Sequence, residues 1–182
     1  MALIKGRALG LNLADNFAFT GTVTGTPGGL SIADSWRLTA NIAGTDADIT
    51  TSSIERSDSV GAGIIGSGMT YSSGIFTFPS TGIYLILFKA STTNTSGDET
   101  AFVLQCQATT NNSSYTVVAE VITSARPEHN NMTGFGSYMI DVTDTSQVKV
   151  KFSTSSHQAN TNLLGETTMD RTSFVFLRLG DT

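Results

Sequence analysis

Histidine, cysteine and paired carboxylates carry most proton-transfer, nucleophilic and metal chemistry, and this 182-residue chain holds two His, one Cys and 15 Asp and Glu. His129 and His157 stand in no spacing that makes a nucleophile–base pair or a metal site. Cys106 lies in an alternating run and reads as a buried apolar thiol with no internal partner. Asp46 and Asp48, flanking Ala47, fall short of the oxygen-dense loop that calcium needs. His157, Asn160 and Asn162 have groups able to bind a sugar, although a solvated loop is the simpler reading. The expectation is a protein with no catalytic residue, no metal and no cofactor. Its function then lies in its surfaces.

Those surfaces are unusual. Only 14% of residues are charged, the formal net charge is −5, and the ten Lys and Arg residues are scattered singly. A phosphate-binding face needs clustered cations, so nucleic acid is not an expected partner. Ser, Thr, Asn and Gly must cover much of the exterior, which suits subunits that touch widely. No apolar run approaches the roughly eighteen residues of a membrane-spanning helix, so no membrane partner is expected. At the N-terminus Lys5 and Arg7 begin like a signal peptide, but Asn12 and Asp15 interrupt the apolar stretch. Synthesis and folding in a cytoplasm are expected, and the acceptor triplets at Asn94, Asn112 and Asn131 then read as turn residues.

The elements that position these surfaces centre on Tyr71 to Ala90. Two apolar runs, Ile75 to Phe78 and Ile83 to Phe88, flank Pro79-Ser80-Thr81-Gly82 and read as two strands joined by a tight turn. The continuous apolar character of Ile83 to Phe88 predicts a strand covered on both faces, at a sandwich centre or a subunit interface. Further strands are expected at Trp36 to Ile42, Ala101 to Ala108, Tyr115 to Ile122, Met132 to Val142 and Phe174 to Leu179. Val148, Val150 and Phe152 alternate with Lys149 and Lys151, which predicts a half-exposed strand. Ile54 to Ile65 holds room for a short edge strand. Gly44 to Ser53, Asn94 to Glu99, Ser124 to Asn131 and Ser155 to Asp170 read as loops. With no convincing helix, the pattern is an all-β jelly-roll sandwich over residues 36–182.

Residues 1–35 differ. Leu9, Leu11, Leu13, Phe17 and Phe19 are spread among Gly, Asn and Thr and precede a Gly-Thr-rich hinge at 21–29. They are too few to form a core and too many for a solvated tail. This extended arm therefore rests on a surface, either the protein's own body or a larger assembly.

Tyr71-x-x-Gly74-x-Phe76-x-x-Pro79-x-x-Gly82-x-Tyr84 resembles the signature hairpin of the complement C-one-q and tumour-necrosis-factor jelly-roll superfamily, and Thr172 to Leu177 is similar to that family's last strand. Val142 to Val150 lacks the Gly-Asp pair usual in the family. The resemblance spans roughly Trp36 to Leu179. It implies a compact homotrimer that binds or builds and does not catalyse, with Tyr84, Leu85, Leu87 and Phe88 supplying the core and the axial surface. Asn16 to Gly25 resembles the lead-ins of tailed-bacteriophage virion proteins. Together these imply a homotrimeric capsid decoration protein, made in the host cytoplasm and placed on the virion surface. Its partner would be the major capsid protein or another virion protein. The alternative is a fibre tip that binds a receptor or host surface glycan.

Overall fold

Tyr84, Ile86, Phe88 and Ala90 are buried while Ile83, Leu85, Leu87 and Lys89 between them are half-buried or exposed. That is the period of a strand with one face on a core. The computed structural model describes residues 29–43, 46–50, 53–125, 131–156 and 160–182, and among the described residues there is no helix. In chain order the strands are β1 (Ala33–Leu38), β2 (Ile42–Ala43), β3 (Ala47–Asp48), β4 (Ile54–Arg56), β5 (Thr70–Ser72), β6 (Ile75–Thr77) and β7 (Gly82–Asn94). They continue with β8 (Glu99–Thr109), β9 (Thr116–Ala125), β10 (Asn131–Val142), β11 (Lys149–Ser155), β12 (Thr161–Leu163) and β13 (Ser173–Gly180).

Two antiparallel sheets face each other. The first runs β4-β1-β13-β7-β10, with β12 and β2 continuing from the last residues of β7. The second runs β5-β6-β11-β8-β9, with β3 on β11. Phe76 is the hub between them, its ring 4.8 to 6.0 Å from those of Tyr71, Phe176, Trp36, Phe174 and Phe152. Each such ring buries a large apolar area, and the tilted and edge-on geometries suit the ring quadrupoles. Where β10 and β9 approach across the sandwich, Gly134 and Gly136 leave room for Val121, Thr123 and Phe88. A Cβ on Gly136 would lie 2.4 Å from the Phe88 ring.

The predicted strands are present, but several expectations change. Ile75–Thr77 and Gly82–Asn94 do not pair as a hairpin: β6 lies in the second sheet and β7 in the first, so Pro79 to Gly82 carries the chain across the sandwich. The Tyr84 hydroxyl locks that crossing by donating to the Ser80 carbonyl at 3.0 Å. Gly82 sits at φ +141°, where an added Cβ would lie 2.5 Å from the Gly180 carbonyl oxygen. The actual hairpin is β5–β6, turned by Ser73 and Gly74, both at positive φ as a two-residue hairpin loop requires. β11 is not half-exposed, because Lys149 is buried with its ammonium donating to the Thr145 carbonyl and the Thr77 hydroxyl. The expected loop from Ser155 to Asp170 contains β12, and the one from Gly44 to Ser53 contains β3. The body begins before Trp36, since Ile32 and Asp34 are buried. Asp34 accepts from the Trp36 indole at 2.8 Å, Arg56 Nε at 2.8 Å and the Met69 amide at 2.7 Å.

Cys106 is fully buried, and burial pushes its thiol up to about 12. An unfolded cysteine ionises near pH 8.5, so from about there to pH 12 the unfolded chain sheds a proton that the native chain keeps. Stability should therefore fall with rising pH across that window, by up to about 1.4 kcal/mol per pH unit from this group. Denaturant unfolding from pH 7 to 10.5 checks this against Cys106→Ala, which should add a constant offset and lack that part of the slope. Equal slopes would mean that the thiol ionises in the native state.

Candidate interaction surface

The first sheet has an inner and an outer face, and the outer one can be read row by row from the register. One row holds Met139, Leu85, Leu177 and Ala33, and the next holds Ser137, Leu87, Val175 and Ser35. The third row changes character, with Phe135, Lys89, Ser173, Arg37 and Glu55. Apolar side chains on β10, β7 and β13 thus adjoin in a patch. Phe135 is 76% exposed, Met139 58% and Leu87 39%, whereas exposed apolar groups elsewhere on a domain are usually single. A depression of about 190 Å³ lies between Phe135, Leu87 and Val175.

The third row is closed by charge. Arg37 is fully buried and donates to Glu55 at 2.7 and 3.0 Å, to the Ser59 hydroxyl at 2.7 Å and to Asp58. Asp170 lies 3.7 Å from the same guanidinium, and its carbonyl accepts from Lys89. Burial alone would lower the pKa of Arg37, but hydrogen bonds to Glu55 and Asp58 and their charges outweigh it and the value rises. The segments around Asp58 and Asp170 therefore strap the upper outer face, and among the described residues nothing covers the apolar patch below.

Of the four residues expected at the core and axial surface, Tyr84 and Phe88 point inward, at 0% and 1% exposure, so a partner chain cannot reach them. Leu85 and Leu87 point outward into the patch. Phe135, Met139, Val175 and Leu177 join them without having been singled out from sequence. Leu9, Leu11, Leu13, Phe17 and Phe19 lie outside the described residues, as do His129 and His157. Asp48 forms an ion pair with Lys151 at 2.6 Å. No group of three or more His, Cys, Asp or Glu able to hold a metal occurs among the described residues.

The body also has two distinct ends. The chain enters beside the start of β7, where Arg178 Nη1 and the Ser31 hydroxyl lie 3.2 Å apart. At the far end of β7 the Thr95 amide donates to the Asn160 carbonyl at 3.0 Å and the Asn160 side chain to that of Ser96 at 3.3 Å. Ala43 pairs with Asn162 and Asn131 with Thr93, so described ends of the segments expected as loops lie together there, opposite the point of entry.

No family model matches the sequence, and no curated protein matches it. Among solved structures the chain is similar to Eiger TNF from S. frugiperda, with TM-score 0.61 and 11% identity over 84% of this chain and 95% of that one. The fold is a tumour-necrosis-factor-like jelly roll. Murine APRIL overlays with TM-score 0.57 and 11% identity, over 81% of this chain and 98% of that one. The PRD1 vertex protein P5 matches 84% of this chain and 100% of its own at 19% identity, but its TM-score of 0.48 is too low to bear on function. In the jelly roll seen here, the apolar patch occupies the outer face of the sheet that contains both chain entry and exit.

Inner and outer residues of β7 should respond differently to truncation. Phe88→Ala should cost about 3 to 5 kcal/mol, because it opens a cavity in the packed core. Leu87→Ser should cost the isolated chain under about 1 kcal/mol. Denaturant unfolding at low protein concentration measures both, and equal losses would place Leu87 in the core.

Proposed function

We propose that this protein is a structural subunit and not an enzyme: a homotrimeric decoration, or cement, protein on the surface of a tailed-bacteriophage capsid. The observation that carries the trimer is the open apolar patch on the first sheet. Burying Phe135, Met139 and Leu87 returns about 1 to 3 kcal/mol each. Association costs roughly 4 to 15 kcal/mol in lost freedom, so the contact is firm when it is repeated around a closed ring. Val117 and Ile122 on β9, 43% and 61% exposed, stand apart on the other sheet, with Glu120 in the row between them. Three-fold closure is the expectation that the family resemblance supplies.

The polarity of the body supports attachment at one end and display at the other. The arm of residues 1–28 joins the body at the start of β7, so a trimer gathers three arms on one side. Each arm brings Leu9, Leu11, Leu13, Phe17 and Phe19 to the major capsid protein or another virion protein. The opposite end, with Thr95, Ser96 and Asn160, faces outward. That outward end is also what a fibre tip would use on a host surface glycan, the second reading. Its neutral amides and hydroxyls suit a sugar in place of an anionic ligand.

Leu85→Asp with Leu87→Asp should reduce the native mass to that of one chain while the far-ultraviolet circular dichroism stays that of a β-sandwich. An unchanged mass would remove this face from the contact. Deleting residues 1–28 should leave an assembly of three shortened chains and abolish co-sedimentation with phage capsids, whereas retained co-sedimentation would refute the role given to the arm.

A further inference from the structure

At the level of Gly134 and Gly136 the β9 and β10 edges of the two sheets close on each other. A Cβ on Gly136 would lie 2.7 Å from one Val121 methyl, and a Cβ on Gly134 would meet the other. Toward the start of β7 the edges part. Tyr138 and Ile140 follow on β10, opposite Ile86 and Tyr84 in the register and therefore on the inner face. Across from them β9 carries a bulge: Ala119 pairs with Cys106 and Val117 with Gln107, so Val118 is the extra residue. A bulge bends its strand and re-aims the side chain it adds. Between the parted edges lies a pocket of about 320 Å³, to which Ala108, Val118, Tyr138 and Ile140 contribute apolar groups. Thr110, Ser114 and Thr116 contribute polar ones.

The polar side of this pocket is fixed in place, yet its hydroxyls are unused. The Asn111 carboxamide oxygen accepts from the amides of Ser113 and Ser114 at 3.0 and 2.8 Å. The Asn112 amide donates to the Gln147 carbonyl at 2.9 Å, so the turn that carries Thr110 and Ser114 is anchored to its neighbour. The hydroxyls of Thr110, Ser114, Thr116 and Tyr138, in contrast, make no hydrogen bond to another described residue. No Lys, Arg or His lines the pocket, and Asp141, its one charged residue, alternates outward with Met139. The volume is at the lower end of the range for small-ligand sites, about 300 to 1,000 Å³.

We propose that this pocket binds a neutral pyranose sugar. An anion would find no cation there to pair with. A wholly apolar ligand would strip water from four hydroxyls and give them nothing in return. A pyranose meets both demands: its C–H face lies on Tyr138, Val118 and Ile140, and its hydroxyls, which both donate and accept, match those of Thr110, Ser114, Thr116 and Tyr138. The anchored turn presents its hydroxyls already in position, which lowers the ordering cost of binding. The pocket is on the flank of the body near the chain entry, apart from the outward end and from the apolar patch, so the inference rests on neither the trimer nor the arm.

Methyl carbon-13 NMR of the full-length protein tests this with the methyl glycosides of glucose, galactose, mannose and N-acetylglucosamine. Each is added to about 50 mM, above the millimolar Kd that the few contacts of one ring give. At least one glycoside should move the Val118 and Ile140 methyl signals in a saturable way and leave those of the distant Ile54 in place. Tyr138→Phe, which keeps the ring, should weaken that binding by about threefold to tenfold. Thr116→Trp fills the pocket from an exposed position and should abolish it, while Asn160→Ala, at the outward end, should bind as the parent does. No movement of Val118 and Ile140 with any of these glycosides would overturn the proposal. So would binding that survives Thr116→Trp, or a methyl glucuronide that binds more tightly than the neutral glycosides.

Discussion

A strand that is apolar on both faces must be covered twice, and β7 is such a strand. Its inner side chains, Tyr84, Ile86 and Phe88, meet the aromatic cluster around Phe76 and are sealed there. Its outer side chains, Ile83, Leu85 and Leu87, are half-buried or exposed in the single chain. The rest of the architecture is arranged around this imbalance. β10 and β13 flank β7 and contribute Phe135, Met139, Val175 and Leu177 to the same outer face, so the unsealed side is a surface and not an isolated residue. Hydrophobic burial scales with area, which makes a contiguous patch worth more than its residues dispersed.

Charge limits where that patch can extend. Arg37 is fully buried, a state that is costly for an ion unless its hydrogen bonds and its charge are both matched. Glu55, Asp58, Asp170 and the Ser59 hydroxyl supply that match and, in doing so, hold two connecting segments over the upper part of the outer face. Among the described residues the lower part has no such strap. Asp34 performs a comparable task inward, fixing Trp36, Arg56 and the Met69 amide where the chain first enters the sandwich. These few buried charges register the edges of a domain whose remaining exterior is mostly neutral hydroxyl and amide.

Much of this was legible in the sequence, and the exceptions have physical causes. The strands at Tyr71 to Ala90 were readable because β-branched and aromatic residues bounded by Pro and Gly leave few other conformations. Their pairing was not. A four-residue connector serves a hairpin or a crossing equally well, and the choice belongs to β11 and β10, more than 40 residues away in the chain. The Lys149 and Lys151 alternation suggested a wet face, but a lysine stem can lie along a covered sheet while its ammonium finds oxygens, as Lys149 does. Leu85 and Leu87 could be picked out from their own run. Phe135 and Met139 could not, because only the β10–β7 register places them beside that run. Arg37 and Asp34 carried no local signal, since the groups that bury them come from distant segments.

The central claim is that the outer face of the first sheet is covered by copies of the same chain. The native mass of the full-length protein in solution tests it most directly. The account predicts three times 19.1 kDa, about 57 kDa, maintained on dilution into the low micromolar range. A stable mass of 19.1 kDa at high protein concentration would contradict it, because Phe135, Met139 and Leu87 would then remain in water with no partner of their own kind.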